Sequence, residues 1–133
     1  MSKRHVVTLE VKGRPASYST AATGPWKEAV RAAVRRVTGV QSPPDVDGRF
    51  DVRIEFRLAQ SRTANEVWDL DNLIKPTLDA MEGIFGLRLW KGQPQAADDR
   101  VDRIEALKRP TGEGESPGAR IDVWEIETPD KTA

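Results

Sequence analysis

Three carboxylates, an amide and a lysine lie within eleven residues of this chain, at Asp69, Asp71, Asn72, Lys75 and Asp79. Asp69 and Asp71 are two residues apart, so an extended backbone would point both side chains to the same side. Hard cations such as Mg2+ bind oxygen ligands, often one or two protein carboxylates together with substrate phosphate. A lysine one helical turn away would offset charge on that phosphate. The spacing therefore indicates a metal-assisted phosphate site.

The same stretch also fits a purely structural role. Helical spacing begins after Asp71, and one apolar stripe comprises Leu73, Thr77, Ala80, Met81 and Ile84. We predict a helix over residues 72–82 that begins between Asp71 and Lys75, because Pro76 is tolerated only near a first turn. Asp71 would then be a helix N-cap. The residues alone leave the ligand and the cap interpretations open.

The surrounding elements follow from the apolar periodicity. Alternation predicts strands over residues 5–11 and 50–58 and a last strand over 120–127, and another strand begins after Asp98-Asp99. A helix begins at Thr23 or Gly24, residues 84–97 fit a short strand or hairpin, and residues 111–118 fit a hairpin loop. This order predicts an α/β (α+β) fold, a mixed β-sheet with two main helices packed on it.

Length and composition limit the classes of protein. A chain of 133 residues with 38% hydrophobic and 32% charged residues suits one domain, residues 1–133, with a frayed tail at 128–133. No apolar run is long enough to cross a membrane and no signal region is visible, so we expect no membrane partner and a cytoplasmic location. The absence of cysteine excludes thiolate metal sites. The net charge of zero argues against a uniformly basic nucleic-acid binder, so the distribution of charge matters more.

A stripe of cations follows one side of the first predicted helix. Lys27, Arg31 and Arg35 recur every four residues, and Arg36 lies beside them. Such a stripe could contact a phosphate backbone. A solvated helix face has the same composition. Both interpretations stay open at this stage.

The acidic stretch resembles the motif of the RusA family of Holliday junction resolvases. The run from Asp69 through Asp71 and Asn72 to Lys75, then Asp79 and a later acidic pair, is similar to that family's pattern. The resemblance implies a RusA-like fold and a homodimer. It also implies an endodeoxyribonuclease that hydrolyses phosphodiester bonds in branched DNA (four-way junctions) during DNA recombination and repair. The cofactor implied is Mg2+, with Mn2+ as a substitute.

The resemblance also implies roles for individual residues. Asp69, Asp71 and Asp99 would bind the metal, with Asp98 as an alternative ligand. Lys75 would act on the scissile phosphate, and Asn72 would orient a ligand. Contacts to the DNA backbone are expected from Lys27, Arg31, Arg35 and Lys108.

Residues 84–97 depart from the family pattern because this connection is longer than the family's short turn. Trp90-Lys91 within it could stack on nucleic acid, or Trp90 could cover the core. Two other functions remain open: a DNA-binding relative without catalysis, and a metal-dependent nucleotide phosphohydrolase.

Overall fold

Four strands form a mixed sheet, and the helices pack on one of its faces. The computed structural model describes residues 2–17, 22–38, 48–59 and 69–127. The elements in chain order are β1 (Lys3–Lys12), α1 (Thr23–Thr38), β2 (Arg49–Leu58), α2 (Leu70–Asp79), α3 (Glu82–Phe85), β3 (Leu87–Trp90), β4 (Gln93–Ala96), β5 (Val101–Pro110) and β6 (Gly118–Ile126). A 3-10 turn at Asp98–Arg100 precedes β5. The mixed α+β architecture predicted from the periodicity is confirmed.

The sheet has the strand order β1-β6-β2-β5. Strand β6 pairs antiparallel with both β1 and β2, whereas β5 pairs parallel with β2. Strands β3 and β4 form a separate antiparallel hairpin. The last strand, β6, therefore lies inside the sheet, between β1 and β2. The parallel edge strand β5 brings the acidic pair that precedes it next to the start of β2.

The alternating apolar residues of β1, β2 and β6 face the helices and form the core with them. Val52, Ile54 and Phe56 of β2 and Ile121 of the neighbouring β6 are fully buried, and Leu9 of β1 is nearly so. From the helices, the core receives Trp26, Val30, Ala33, Val34, Leu73, Met81, Ile84 and Phe85. The predicted stripe of α2 and its continuation is buried, including Thr77 and Ala80. Burial of this apolar surface provides the main driving force that holds the helices on the sheet.

The opposite face of the sheet carries paired charges. Asp51 on β2 accepts from Lys3 at 3.0 Å and from Arg103 at 3.1 Å. Arg109 of β5 donates to Glu55 at 2.8 Å, and Arg57 lies 3.4 Å from Glu10. Because cations and carboxylates alternate here, this face does not provide a basic surface. An excess of positive charge has to be sought on the helical side.

Three sequence-based expectations were wrong in detail. Helix α2 begins at Leu70, before the predicted interval, because the N–H of Leu73 already bonds to the carbonyl of Asp69 at 3.3 Å. It ends at Asp79 rather than near Glu82, because the N–H groups of Ala80 and Met81 make tighter bonds to carbonyls three residues back. Residues 111–118 do not close a hairpin, since β5 and β6 are not neighbours and the connection crosses the end of β2.

Other predictions have simpler outcomes. Helix α1 and the four long strands β1, β2, β5 and β6 are where the sequence pattern placed them, and residues 87–96 form the predicted hairpin. The tail at 128–133 and the side chain of Trp90 lie outside the described part of the chain. Within the described residues, no helix is long and apolar enough to cross a membrane.

Candidate functional site

The acidic motif lies at the start of α2. Asp69 directly precedes the helix with extended backbone angles (φ −71°, ψ 140°), and its side chain caps no N–H group. Asp71 lies in the first helical turn, and Asn72 beside it is exposed. The two carboxylates therefore do not share one extended strand, and Asp71 is not the N-cap. Both lie at the helix N-terminus, where the helix dipole favours negative charge.

Lys75 connects this helix to the acidic pair before β5. Its ammonium Nζ lies 3.0 Å from Oδ1 of Asp79, one turn further along α2. The same ammonium lies 3.8 Å from Oδ2 of Asp98. Helical spacing explains the first contact. The second one brings together two segments that are 23 positions apart in the sequence.

The acidic pair is positioned by the 3-10 turn that carries it. Arg100 at the end of this turn is buried, donates hydrogen bonds to the carbonyls of Gly48 and Phe85, and stacks over the ring of Phe50 at 5.2 Å. Because its guanidinium is fixed by two backbone carbonyls and an aromatic ring, the turn has little freedom to move. Sequence reasoning did not identify Arg100, since a cation after an acidic pair looks like surface.

The acidic pair also receives a cation from the inserted hairpin. Arg88 on β3 approaches Oδ1 of Asp99 to 3.1 Å with Nε and Oδ1 of Asp98 to 3.9 Å with Nη2. The hairpin can reach the pair because its two ends meet: the N–H of Ala97 donates to the carbonyl of Gly86 at 2.9 Å. The insertion thus leaves the acidic pair directly after α3. Sequence reasoning also missed Arg88, although an arginine within residues 84–97, the segment that departs from the family pattern, could have indicated it.

A cleft lies beside these residues, between α1, α2 and the hairpin. It has a volume of about 380 Å3, and its charged lining comprises Lys27, Arg31, Lys75, Asp79 and Glu82. Helix α1 is held against α2 by the indole N–H of Trp26, which donates to the hydroxyl of Thr77 at 3.0 Å inside the core. This bond holds α1 beside α2, where Lys27 and Arg31 of α1 share the cleft with Lys75.

The predicted basic stripe has three different environments. Arg31 donates to Glu82 at 2.9 Å within the cleft, and Arg35 donates to Glu28 at 2.6 Å on the outer side of α1. The Arg35 hydrogen bond and charge lower the pKa of Glu28. Lys27 makes no ion pair within the described residues, so its charge is the most available of the three. The fourth predicted contact, Lys108, lies seven residues along β5 from Val101, roughly 23 Å of extended strand.

The side chains of the site offer the type of ligand atom, carboxylate oxygen, that a hard cation binds. Asp69, Asp71, Asp98 and Asp99 offer carboxylate oxygens, and Mg2+ needs only one or two of them when water and phosphate complete its shell. Within the described residues, no three His, Cys, Asp or Glu side chains are close enough together to hold a metal ion. The structure thus shows Lys75 close to Asp98. Metal binding by the predicted ligands stays a prediction.

Comparison with known protein families gives one decisive match. The family model described as endodeoxyribonuclease RusA matches residues 2–123 of the 133-residue chain. The chain belongs to the RusA endodeoxyribonuclease family. The match spans both acidic segments and the hairpin between them. At the level of the family, this RusA-family protein is therefore an endonuclease that hydrolyses DNA. A comparison with curated proteins found no significant match.

Proposed function

We propose that this RusA-family protein is a Mg2+-dependent Holliday junction resolvase, which cuts phosphodiester bonds in four-way DNA junctions during recombination and repair. The observation that carries the proposal is the 3.8 Å approach of Lys75 to Asp98 at the border of a cleft whose lining holds three cations and two carboxylates. A cation held between carboxylates at an open cleft suits a phosphate group that belongs to a long polymer. The family match adds the reaction class.

The residues divide into three tasks. Asp69, Asp71 and Asp99, with Asp98 as an alternative, would hold Mg2+ (or Mn2+), and Asn72 would orient one of these carboxylates. Bound Mg2+ would supply an activated water and stabilise the negative charge that develops on the phosphate. Lys75 would contact the scissile phosphate, since Asp79 holds its ammonium next to the acidic pair.

Positioning of the rest of the DNA would fall to the cations around the cleft. Lys27 and Arg31 lie in the cleft itself, and Arg35 continues the stripe one turn further along α1. Lys108 would contact a more distant phosphate from β5. We further propose that the protein acts as a homodimer, because a two-fold assembly matches a junction that must be cut at two related positions. We also propose that it acts in the cytoplasm.

The test is cleavage of a synthetic four-way junction by the wild-type protein and by Asp71→Asn. We expect cutting with Mg2+ or Mn2+, binding without turnover in Ca2+, and none in excess EDTA. Asp71→Asn should abolish cutting without unfolding the protein, since Asp71 is exposed and the change removes charge with little change of shape. Glu105→Gln, which alters a carboxylate paired with Arg53 on the other face of the sheet, is the matched control and should still cut.

Three outcomes would separate the candidate functions. Cutting in EDTA would contradict the metal requirement. Tight junction binding without cutting under any cation would identify a DNA-binding relative that lacks catalysis. Hydrolysis of free nucleotides in place of junctions would identify a nucleotide phosphohydrolase.

A further inference from the structure

The hairpin of β3 and β4 is a short, well-defined ribbon beside the site. Its two strands pair Leu87 with Ala96 and Leu89 with Pro94. The two residues at its tip, Lys91 and Gly92, both have positive φ, 51° and 79°. Two positive φ angles are typical of the type I′ turn, whose twist matches that of paired strands. The turn therefore fixes the pairing and the twist of the two strands.

One face of this ribbon is apolar and open to solvent. Leu87 is 62% exposed and Leu89 is 73% exposed, and they lie on the same face because they are two residues apart. Pro94, opposite Leu89, is exposed as well. Scattered exposed leucines need no explanation, but a continuous apolar face on a projecting ribbon marks a contact surface.

The charge and position of the hairpin indicate what it contacts. Residues 87–96 contain two cations and no carboxylate, in a chain whose acidic and basic residues are equal in number. Leu87 and Pro94 line the same cleft as Lys27 and Lys75. The apolar face thus begins in the cleft and continues outward at Leu89. A polyanion with exposed apolar faces complements this combination.

We propose that the hairpin contacts base faces at the branch point of the DNA that the cleft binds. Where strands part, the terminal base pairs of each arm expose faces that are apolar, and leucine and proline side chains can pack against them as wedges. The cations of the cleft hold the adjoining phosphates. This proposal rests on the proposed function, and it makes the hairpin the element that distinguishes branched from linear DNA.

The test compares two hairpin variants with a matched control. Leu87→Thr/Leu89→Thr removes the apolar face while keeping residues that favour strands. A second variant replaces residues 87–96 with two glycines, because the bond between Gly86 and Ala97 already brings the ends together. Ile104→Thr, on β5, changes another exposed large apolar residue outside the cleft lining.

Binding is measured in EDTA by fluorescence anisotropy, with a four-way junction and a linear duplex of equal length. We expect both hairpin variants to raise the Kd for the junction about tenfold, equivalent to ~1.4 kcal/mol. For Leu87→Thr/Leu89→Thr, which keeps every charge, the Kd for the duplex should change less than about twofold. The deletion variant also removes Arg88 and Lys91, so its duplex binding should weaken as well, but less than its junction binding. Ile104→Thr should leave both values near those of the wild type.

Contrary outcomes are distinct. An equal loss for junction and duplex, or no loss, would overturn the role of the hairpin while leaving the proposed function intact, provided that the wild type prefers junctions. A wild type that binds both DNAs equally would overturn branch recognition as a whole. If sedimentation shows that the hairpin variants convert a dimer to a monomer, the apolar face is a contact between two copies, and the proposal is wrong.

Discussion

At the scale of single residues, Lys75 and Arg88 reach the same carboxylate, Asp98, from two separate elements. Their positive charges reduce the repulsion between the adjacent carboxylates of Asp98 and Asp99. A divalent cation that uses the oxygen atoms of Asp99 has to compete with Arg88, whose Nε lies 3.1 Å from that carboxylate. The hairpin therefore contacts carboxylates of the proposed metal site as well as the cleft.

This competition predicts the effect of Arg88→Met. The substitution keeps most of the side-chain length and removes the charge, so Mn2+ should bind the DNA-free protein about threefold more tightly, as suits the modest energy of partly exposed ion pairs. Isothermal titration calorimetry measures the change. Arg103→Met is the matched control, because Arg103 pairs with Asp51 on the other face of the sheet. Weaker Mn2+ binding by Arg88→Met would mean that Arg88 holds the acidic pair in place for the metal.

Lys75 and Lys27 should differ in what their loss changes. Lys75→Ala should bind junctions almost normally and cut poorly, because a contact made to the reacting phosphate acts on turnover. Lys27→Ala should cut normally at saturation but bind all DNA more weakly, with the log–log salt slope reduced by about one. Single-turnover cleavage and a salt series of binding measurements separate the two effects. An unchanged salt slope in Lys27→Ala would place the backbone contact elsewhere.

Arg31→Ala is a less clean test of the same surface. Arg31 donates to Glu82 in the cleft, and the second carboxylate oxygen of Glu82 is buried without a hydrogen bond from any described residue. Removing Arg31 would thus leave a partly buried carboxylate unpaired, which affects stability as well as binding. A lower affinity in this variant should therefore be compared with its free energy of unfolding.

Residue types predicted the motif better than they predicted its contacts. Lys75 and Asp79 are four apart on a helix, so their 3.0 Å contact follows from local geometry alone. The contacts of Arg88 depend on the closure of the hairpin at Gly86 and Ala97, which no local pattern reveals. Contacts between segments distant in sequence are decided by tertiary packing.

At the scale of elements, the contact between helices α1 and α2 positions the cleft. The indole of Trp26 donates to the hydroxyl of Thr77, and that hydroxyl in turn donates to the carbonyl of Leu73 at 2.8 Å. All three residues are buried. A single hydroxyl therefore fixes the distance between the helix that carries Lys27 and the helix that carries Lys75.

Thr77→Val tests this contact between the two helices. The variant keeps the shape but leaves the indole N–H of Trp26 buried without an acceptor, so we expect the free energy of unfolding to fall by roughly 1–3 kcal/mol. Urea denaturation measures the change. Thr111→Val, at a half-buried position whose backbone N–H makes the observed bond to Leu58, should change stability by less than about 0.5 kcal/mol. Equal stability of Thr77→Val and the wild type would show that the indole bond is dispensable.

The periodicity predicted elements well where burial alone decides their form. Strands β1, β2 and β6 bury apolar residues at alternate positions, so they could be recognised from local alternation. The break between α2 and α3 could not, because Ala80, Met81 and Ile84 remain on the buried side whether the backbone continues as a helix or tightens. The ends of α2 depend on hydrogen bonds at Leu73 and Ala80 that leave the apolar pattern unchanged.

At the scale of the whole molecule, strand order depends on the connection between β5 and β6, residues 111–117. The chain leaves the edge strand β5, crosses the end of β2 and enters the sheet between β1 and β2. A hairpin was predicted because the connection is short and rich in turn residues, a composition that fits both topologies. Only the pairing of β6 with both neighbours decides between them, and that pairing is non-local.

Glu115 secures this crossing connection, which leads to a prediction about pH. Arg109 of β5 bonds to Glu115 as well as to Glu55 of β2. The hydrogen bond from Arg109, followed by one from the backbone N–H of Gly112, lowers the pKa of Glu115 to about 2, from a usual value of 4.5. A lowered pKa in the folded protein means that the unfolded chain binds the proton more tightly. The resulting stability is present above pH 4.5 and is lost as the pH falls toward 2.

Glu115→Gln should therefore lower the free energy of unfolding at pH 6.5, and the difference from the wild type should shrink between pH 4.5 and pH 3. Urea denaturation at these three pH values provides the measurement. Glu113→Gln removes the same charge from the same connection without altering the pairing of Arg109 with Glu115, and it serves as the control for net charge. A difference that stays constant over this pH range would mean that the connection depends on the shape of Glu115 rather than on its charge.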